Sequence, residues 1–158
     1  MREMLFRGKL IHKEDYMLYE QLYKDNKDTI DVFNNGFVYG SLVVIKDKYY
    51  ICVGIAGVSI NSLINNTTAT FVEVIPETIS QYTGLKDKNG NKIFEGDIVE
   101  RLWLGEKHIY RIYYDNDIAS FIGKDIYGLN FTTFDYDACE FEVIGNIYDN
   151  PELLEVEE

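Results

Sequence analysis

The chain has 158 residues, which fits one domain or two small lobes and allows roughly 70% of the unfolded surface to be buried without disulfide or metal staples. Apolar residues at 46% and charged residues at 27% exclude wholesale disorder, and no run approaches the 18 apolar residues of a membrane span. The formal charge of −12 argues against nucleic acid as a partner of the whole surface, but it is unevenly placed: the last 24 residues hold nine acids and no Lys or Arg, leaving −3 on the first 134.

Thirteen Tyr and nine Phe with only two Pro favour strands, and residues 4–11 read as the first of them. In residues 14–25, Tyr16, Tyr19, Leu22 and Tyr23 recur at intervals of three and four, which predicts a short amphipathic helix. Asn35-Gly36 between Val32-Phe33 and Phe37-Val38 predicts a hairpin with a type I′ turn, since this pair supplies both positive φ angles. Strand 37–46, a turn at Asp47-Lys48 and strand 49–55 follow. Gly54, Gly57, Asn61, Asn65 and Asn66 then open a loop, strand 67–75 is ended by Pro76, and residues 78–82 read as one helical turn. Beyond Gly84 short strands are expected at 92–104, 107–114, 118–122, around 131–134 and at 140–148, with Gly96 as the bend before a strand starting at Ile98. Asn89-Gly90, Gly105-Glu106, Asp115-Asn116-Asp117 and Gly123-Lys124 are the separators. So many short strands must close on themselves or pack as a sandwich. The fold expected is mainly β: an N-terminal β-rich lobe over 1–83 with one short inserted helix, and a C-terminal small SH3-like barrel with an acidic tail over 84–158, the two lobes forming separate domains or one compact unit. The tail from Pro151 reads as a short helical turn or a frayed end.

Three stretches carry a specific likeness. Residues 76–99 include Pro76-Glu77-Thr78-Ile79-Ser80, Tyr82-Thr83-Gly84-Leu85-Lys86-Asp87 and Glu95-Gly96-Asp97-Ile98-Val99; residues 142–154 include Val143-Ile144-Gly145-Asn146-Ile147-Tyr148; and the opening carries Met4-Leu5-Phe6-Arg7-Gly8-Lys9. Together they resemble the YopX family of small proteins carried by bacteriophages and prophages. The resemblance spans nearly the whole chain apart from residues 13–31, where the helix is an insertion, and the loop around 56–66. It implies a phage or prophage setting and no reaction, because the family has no established biochemical activity.

Motifs for catalysis are lacking: the chain has no Gly-x-Ser-x-Gly elbow, phosphate-binding loop, His-Glu-x-x-His pair or Cys-x-x-Cys. His108 alternates with Ile109 in its strand and reads as an exposed or edge histidine. Cys52 and Cys139 lie in apolar strand-like runs and read as buried thiols of a reducing cytosol. Glu95, Asp97, Asp115 and Asp117 offer an acid–base or hard-metal set, against which Asp115-Asn116-Asp117 is explained by a hairpin turn. The most pointed binding surface is Gln81, Tyr82, Lys86, Lys88 and Lys92, where cations and an aromatic around an Asn89-Gly90 tip have the makings of a phosphate and base platform; the competing explanation is a solvated hairpin. The acidic surface of Glu152, Glu155, Glu157 and Glu158 suits a basic partner.

The function expected is therefore a non-enzymatic phage or prophage accessory protein that binds a host or phage macromolecule, a protein before nucleic acid, with self-association left open. The alternatives are an acidic inhibitor of a basic nucleic-acid-binding site and a carboxylate-dependent hydrolase. No cofactor or metal is expected. Arg2, Arg7 and Lys9 interrupt any leader-like apolar run, so the expected location is the cytoplasm of the host cell.

Overall fold

The computed structural model describes residues 4–12, 33–53, 70–125, 130–131 and 140–155. The protein is mainly β and divides into two compact units, Met4–Gln81 and Tyr82–Glu158. The helix expected at 14–25 and the loop around 56–66 lie outside the described residues.

The N-terminal unit is built on β1 (Phe6–Lys9), β2 (Phe33–Asn34), β3 (Phe37–Ile45), β4 (Lys48–Val53), β5 (Thr70–Glu73) and the start of β6 (Ser80–Lys86). The ladders are antiparallel and run β5-β4-β3-β1-β6, with β2 on β3. The Asn35-Gly36 turn is present, with φ of 50° and 78° and Asn34 facing Phe37. The next turn falls at Lys46-Asp47, one residue earlier than expected, with φ of 47° and 62°. Lys48 is instead a strand residue opposite Ile45, and its ammonium lies 3.0 Å from Glu73. Leu10, Phe33, Val38, Ile51, Val53, Val72 and Val74 form the core, each buried apolar side chain contributing about 1.5–3 kcal/mol. Gly40 is required there, because any Cβ would collide with the carbonyl oxygen of Cys52. Cys52 itself is only half-buried, since the strand alternation that sends Ile51 and Val53 inward turns it to the other face.

The helical turn expected at 78–82 is displaced to a 3₁₀ turn at Pro76–Thr78, and Ser80 is already in β6. Pro76 presets the first helical φ. The Thr78 hydroxyl donates to the Ile75 carbonyl at 2.7 Å and accepts from the Lys9 N–H at 2.8 Å, which stops the turn and returns the chain to the sheet beside Arg7.

The C-terminal unit continues from β6 into β7 (Lys92–Phe94), β8 (Asp97–Trp103), β9 (Glu106–Asp115), β10 (Ser120–Asp125), β11 (Asn130–Phe131) and β12 (Glu142–Asn146), closing with a 3₁₀ turn at Pro151–Leu154. β6 pairs with β7, and the other five form an antiparallel sheet in the order β11-β10-β9-β8-β12. No ladder joins β11 to β12 among the described residues, so the closure that an SH3-like barrel requires is not part of the pairing seen. Ile93, Val99, Tyr110, Ile112, Phe121 and Phe141 make the core.

The strand expected over 92–104 is broken into β7 and β8 by Glu95-Gly96. Gly96 has φ of +78°, donates its N–H to the Ile112 carbonyl at 2.8 Å and accepts from Ile147 N–H at 2.9 Å. Ile118, expected in a strand, sits in the turn after β9, where the Asp115 carboxylate accepts from the N–H groups of Asp117 and Ile118 at 2.9 and 3.3 Å. Gly123-Lys124, expected as a separator, lies within β10 opposite Ile112 and Arg111. The carboxylate capping moves the turn, and the strand therefore starts later and runs through the glycine.

Candidate functional site

The motifs that carry the family likeness are occupied with solving the backbone. Asp87 is buried, and its carboxylate accepts from Asn91 N–H at 2.8 Å, Asn89 N–H at 2.9 Å, Val143 N–H at 3.0 Å and the Asn91 amide at 3.1 Å. Burial works against its ionisation, but those hydrogen bonds outweigh it and hold its pKa below the ordinary carboxylate value. Asp97 is 1% exposed and accepts from Phe94 N–H at 2.7 Å. Thr83 and Gly84, with φ of +91° at the glycine, break the β6–β7 register, the Thr83 hydroxyl donating to the Ile93 carbonyl at 2.8 Å. Gly145 leaves room for Asn150, whose Oδ1 would lie 2.6 Å from a Cβ there.

The surface drawn from Gln81, Tyr82, Lys86, Lys88 and Lys92 is dispersed by the same geometry. Gln81 pairs with Phe6 in the N-terminal unit. The Tyr82 ring is 5% exposed against Phe94, centroids 5.5 Å apart, with the Lys92 ammonium 5.4 Å from its centre. Lys88 is held by Glu142 at 2.6 Å, which raises the lysine pKa and lowers the glutamate's through the shared hydrogen bond. Lys86 stands exposed opposite Lys92. Glu152 and Glu155 are exposed, and Glu157 and Glu158 lie outside the described residues.

His108 is half-buried on the inner strand β9, stacked on Tyr110 and 3.8 Å from the Asp125 carboxylate, rather than at an edge. The order β10-β9-β8 places its strand centrally, which the alternation with Ile109 alone did not reveal. Among the described residues no group of three His, Cys, Asp or Glu side chains converges on a metal position.

Two features stand out from this background. At the β8–β9 hairpin, Leu102, Trp103 and Leu104 are 67%, 49% and 90% exposed. Leu104 and Gly105 form the turn with φ of 52° and 87°, so a bulky aliphatic residue holds a left-handed position ordinarily taken by Asn, Asp or Gly. The Trp103 ring is steadied from beneath by the buried Arg101 guanidinium, 4.3 Å from its centre. Arg101 is in turn 3.6 Å from Glu140. The second feature is an open groove of about 430 Å³ on the same unit, lined by Arg111, Tyr113, Lys124, Asp125 and Leu154. Neither is conspicuous in the sequence: the tip reads as a strand end running into the Gly105-Glu106 separator, although Leu104-Gly105 is its turn signal, and Lys124 falls in the Gly123-Lys124 separator.

A two-unit, mainly β protein whose polar motifs serve turns and strand ends defines the class. A family model described as YopX protein matches residues 6–155, and the chain belongs to the YopX family. The crystal structure of protein EF1440 from Enterococcus faecalis is similar at 28% identity over 67% of this chain and 75% of that one, with a TM-score of 0.39. No curated protein matches. No helix among the described residues is long and apolar enough to cross a membrane.

Proposed function

We propose that this protein is a non-enzymatic accessory factor of phage or prophage origin, acting in the bacterial cytoplasm by docking the Leu102-Trp103-Leu104 hairpin tip into an apolar pocket of a protein partner. The single observation that carries this reading is Leu104, which is 90% exposed and held at φ of 52°. Both properties disfavour the folded protein in isolation, and three consecutive exposed apolar residues at a turn are a liability unless something covers them. Trp103, steadied by Arg101, is a preorganised anchor of the kind that dominates protein interfaces.

Charge selects the occupant. A membrane surface bearing anionic lipid and a second copy of this chain both repel a molecule of −12, and Lys107, close to the tip, is held by Glu100 at 3.1 Å. A protein whose pocket is apolar and whose rim is basic gains from the same charge. The test is recovery of a partner from host lysate by the wild-type protein, by Trp103→Ala and by Leu104→Asn, with nuclease present. A protein recovered by the wild type and lost with both variants supports the reading; a partner recovered equally by all three, or only without nuclease, contradicts it.

A further inference from the structure

The groove beside β9 and β10 brings two cations together beside an aromatic ring. Arg111 and Lys124 are direct cross-strand partners, which places their Cβ atoms about 5 Å apart, where like charges are destabilising. Four other cations of this acidic protein lie beside carboxylates: Lys48 with Glu73, Lys88 with Glu142, Lys107 with Glu100 and Arg101 with Glu140. Arg111 and Lys124 are both exposed and make no ion pair among the described residues. Tyr113, two residues from Arg111 on the same strand and therefore on the same face, lines the groove with them, and Leu154 of the terminal 3₁₀ turn also lines it. Asp125 also lines the groove, but it is 4% exposed and its carboxylate lies beside His108.

From this we infer that the groove is a binding site for a small phosphorylated ligand of nucleoside-monophosphate size. The Arg111 guanidinium offers paired donors to two phosphate oxygens, Lys124 adds a point charge, and the half-buried Tyr113 offers a ring for stacking. The volume lies within the range of small-molecule pockets. Glu152 and Glu155, both exposed, flank the lining residue Leu154 in the chain, and their charge disfavours a polyanion there. A single bound phosphate neutralises the Arg111–Lys124 repulsion.

The experiment is titration of the full-length protein, followed by calorimetry and amide chemical shifts, with a panel of nucleoside 5′-monophosphates, inorganic phosphate and the uncharged nucleosides. A monophosphate that saturates at millimolar concentration or below, with inorganic phosphate weaker and the nucleosides silent, is expected. Arg111→Gln and Lys124→Gln each weaken it by about tenfold or more while the melting temperature in ligand-free buffer does not fall, and Lys86→Gln, an exposed lysine outside the groove, leaves it unchanged. The inference is overturned if no phosphate compound saturates the wild type, if binding survives both groove substitutions, or if only oligonucleotides bind with a steep salt dependence.

Discussion

Leu104→Asn is expected to make the protein more stable and less functional. For a residue other than glycine the left-handed conformation costs roughly 1–2 kcal/mol, and Asn tolerates it best of the remaining residues because its side chain hydrogen-bonds locally. Leu104 is already 90% exposed, so the apolar burial lost is a small fraction of the roughly 2–3 kcal/mol that a fully buried Leu contributes, only a few tenths. The balance is a gain of about 0.5–1.5 kcal/mol, or a rise in melting temperature of roughly 2–12 °C for a unit of this size. Thermal unfolding followed by circular dichroism, with chemical denaturation as a second measure, reads this directly. A fall in stability would show that Leu104 packs against the protein and that the tip is structural. Stability that rises while partner recovery is lost is the signature of a residue kept for docking at the expense of the fold.

Replacing Asp87 with Ala leaves three backbone N–H groups and the Asn91 amide without their acceptor, and a loss of about 3 kcal/mol is expected because hydrogen bonds to a charged group are worth about 1.5–3 kcal/mol each and do not add fully. The depressed pKa of Asp87 gives stability that is fully present above the ordinary carboxylate pKa, near 4, and lost as pH falls through the lower folded value; Asp87→Asn should flatten that part of an acid-unfolding curve. Gly96→Val should cost about 2 kcal/mol or more, since it meets both φ of +78° and contacts of 3.3 Å and 3.4 Å with Ile147 and Tyr148, and unchanged melting would contradict that conformation in solution. Lys124→Glu turns a repulsive cross-strand pair with Arg111 into an attractive one and should stabilise by about 0.2–1 kcal/mol while abolishing phosphate binding.

Most of the strand content was legible in the sequence because it rests on local rules. Asn35-Gly36 dictates its own turn, Pro76 ends its strand, and Gly96 bends the chain where its neighbours demand it. What the sequence hid depends on partners distant along the chain. That Asp87 would cap its loop and also reach Val143 requires β12 to lie against that loop, and nothing within residues 81–92 says so. The cluster of lysines there is conspicuous in sequence, yet Glu142 takes up Lys88 and Phe94 takes up Tyr82. Arg111 and Lys124 are thirteen positions apart, and only the strand register brings them together. Trp103 read as the end of a strand because its exposure is decided by the turn that follows it. The family motifs are long and polar for a structural reason: they hold turns, bulges and strand ends that apolar periodicity cannot encode.

The most direct test of the docking account is site-specific photocrosslinking in the host cell, with a photoreactive aromatic residue placed at Leu104 in one variant and at Ile118, an exposed apolar turn residue on the same unit, in another. The account predicts one dominant protein crosslinked from position 104 and not from 118, its yield falling when Trp103 is also changed to Ala. Identical patterns from the two positions, or none from 104 while the protein is folded and expressed, would contradict it.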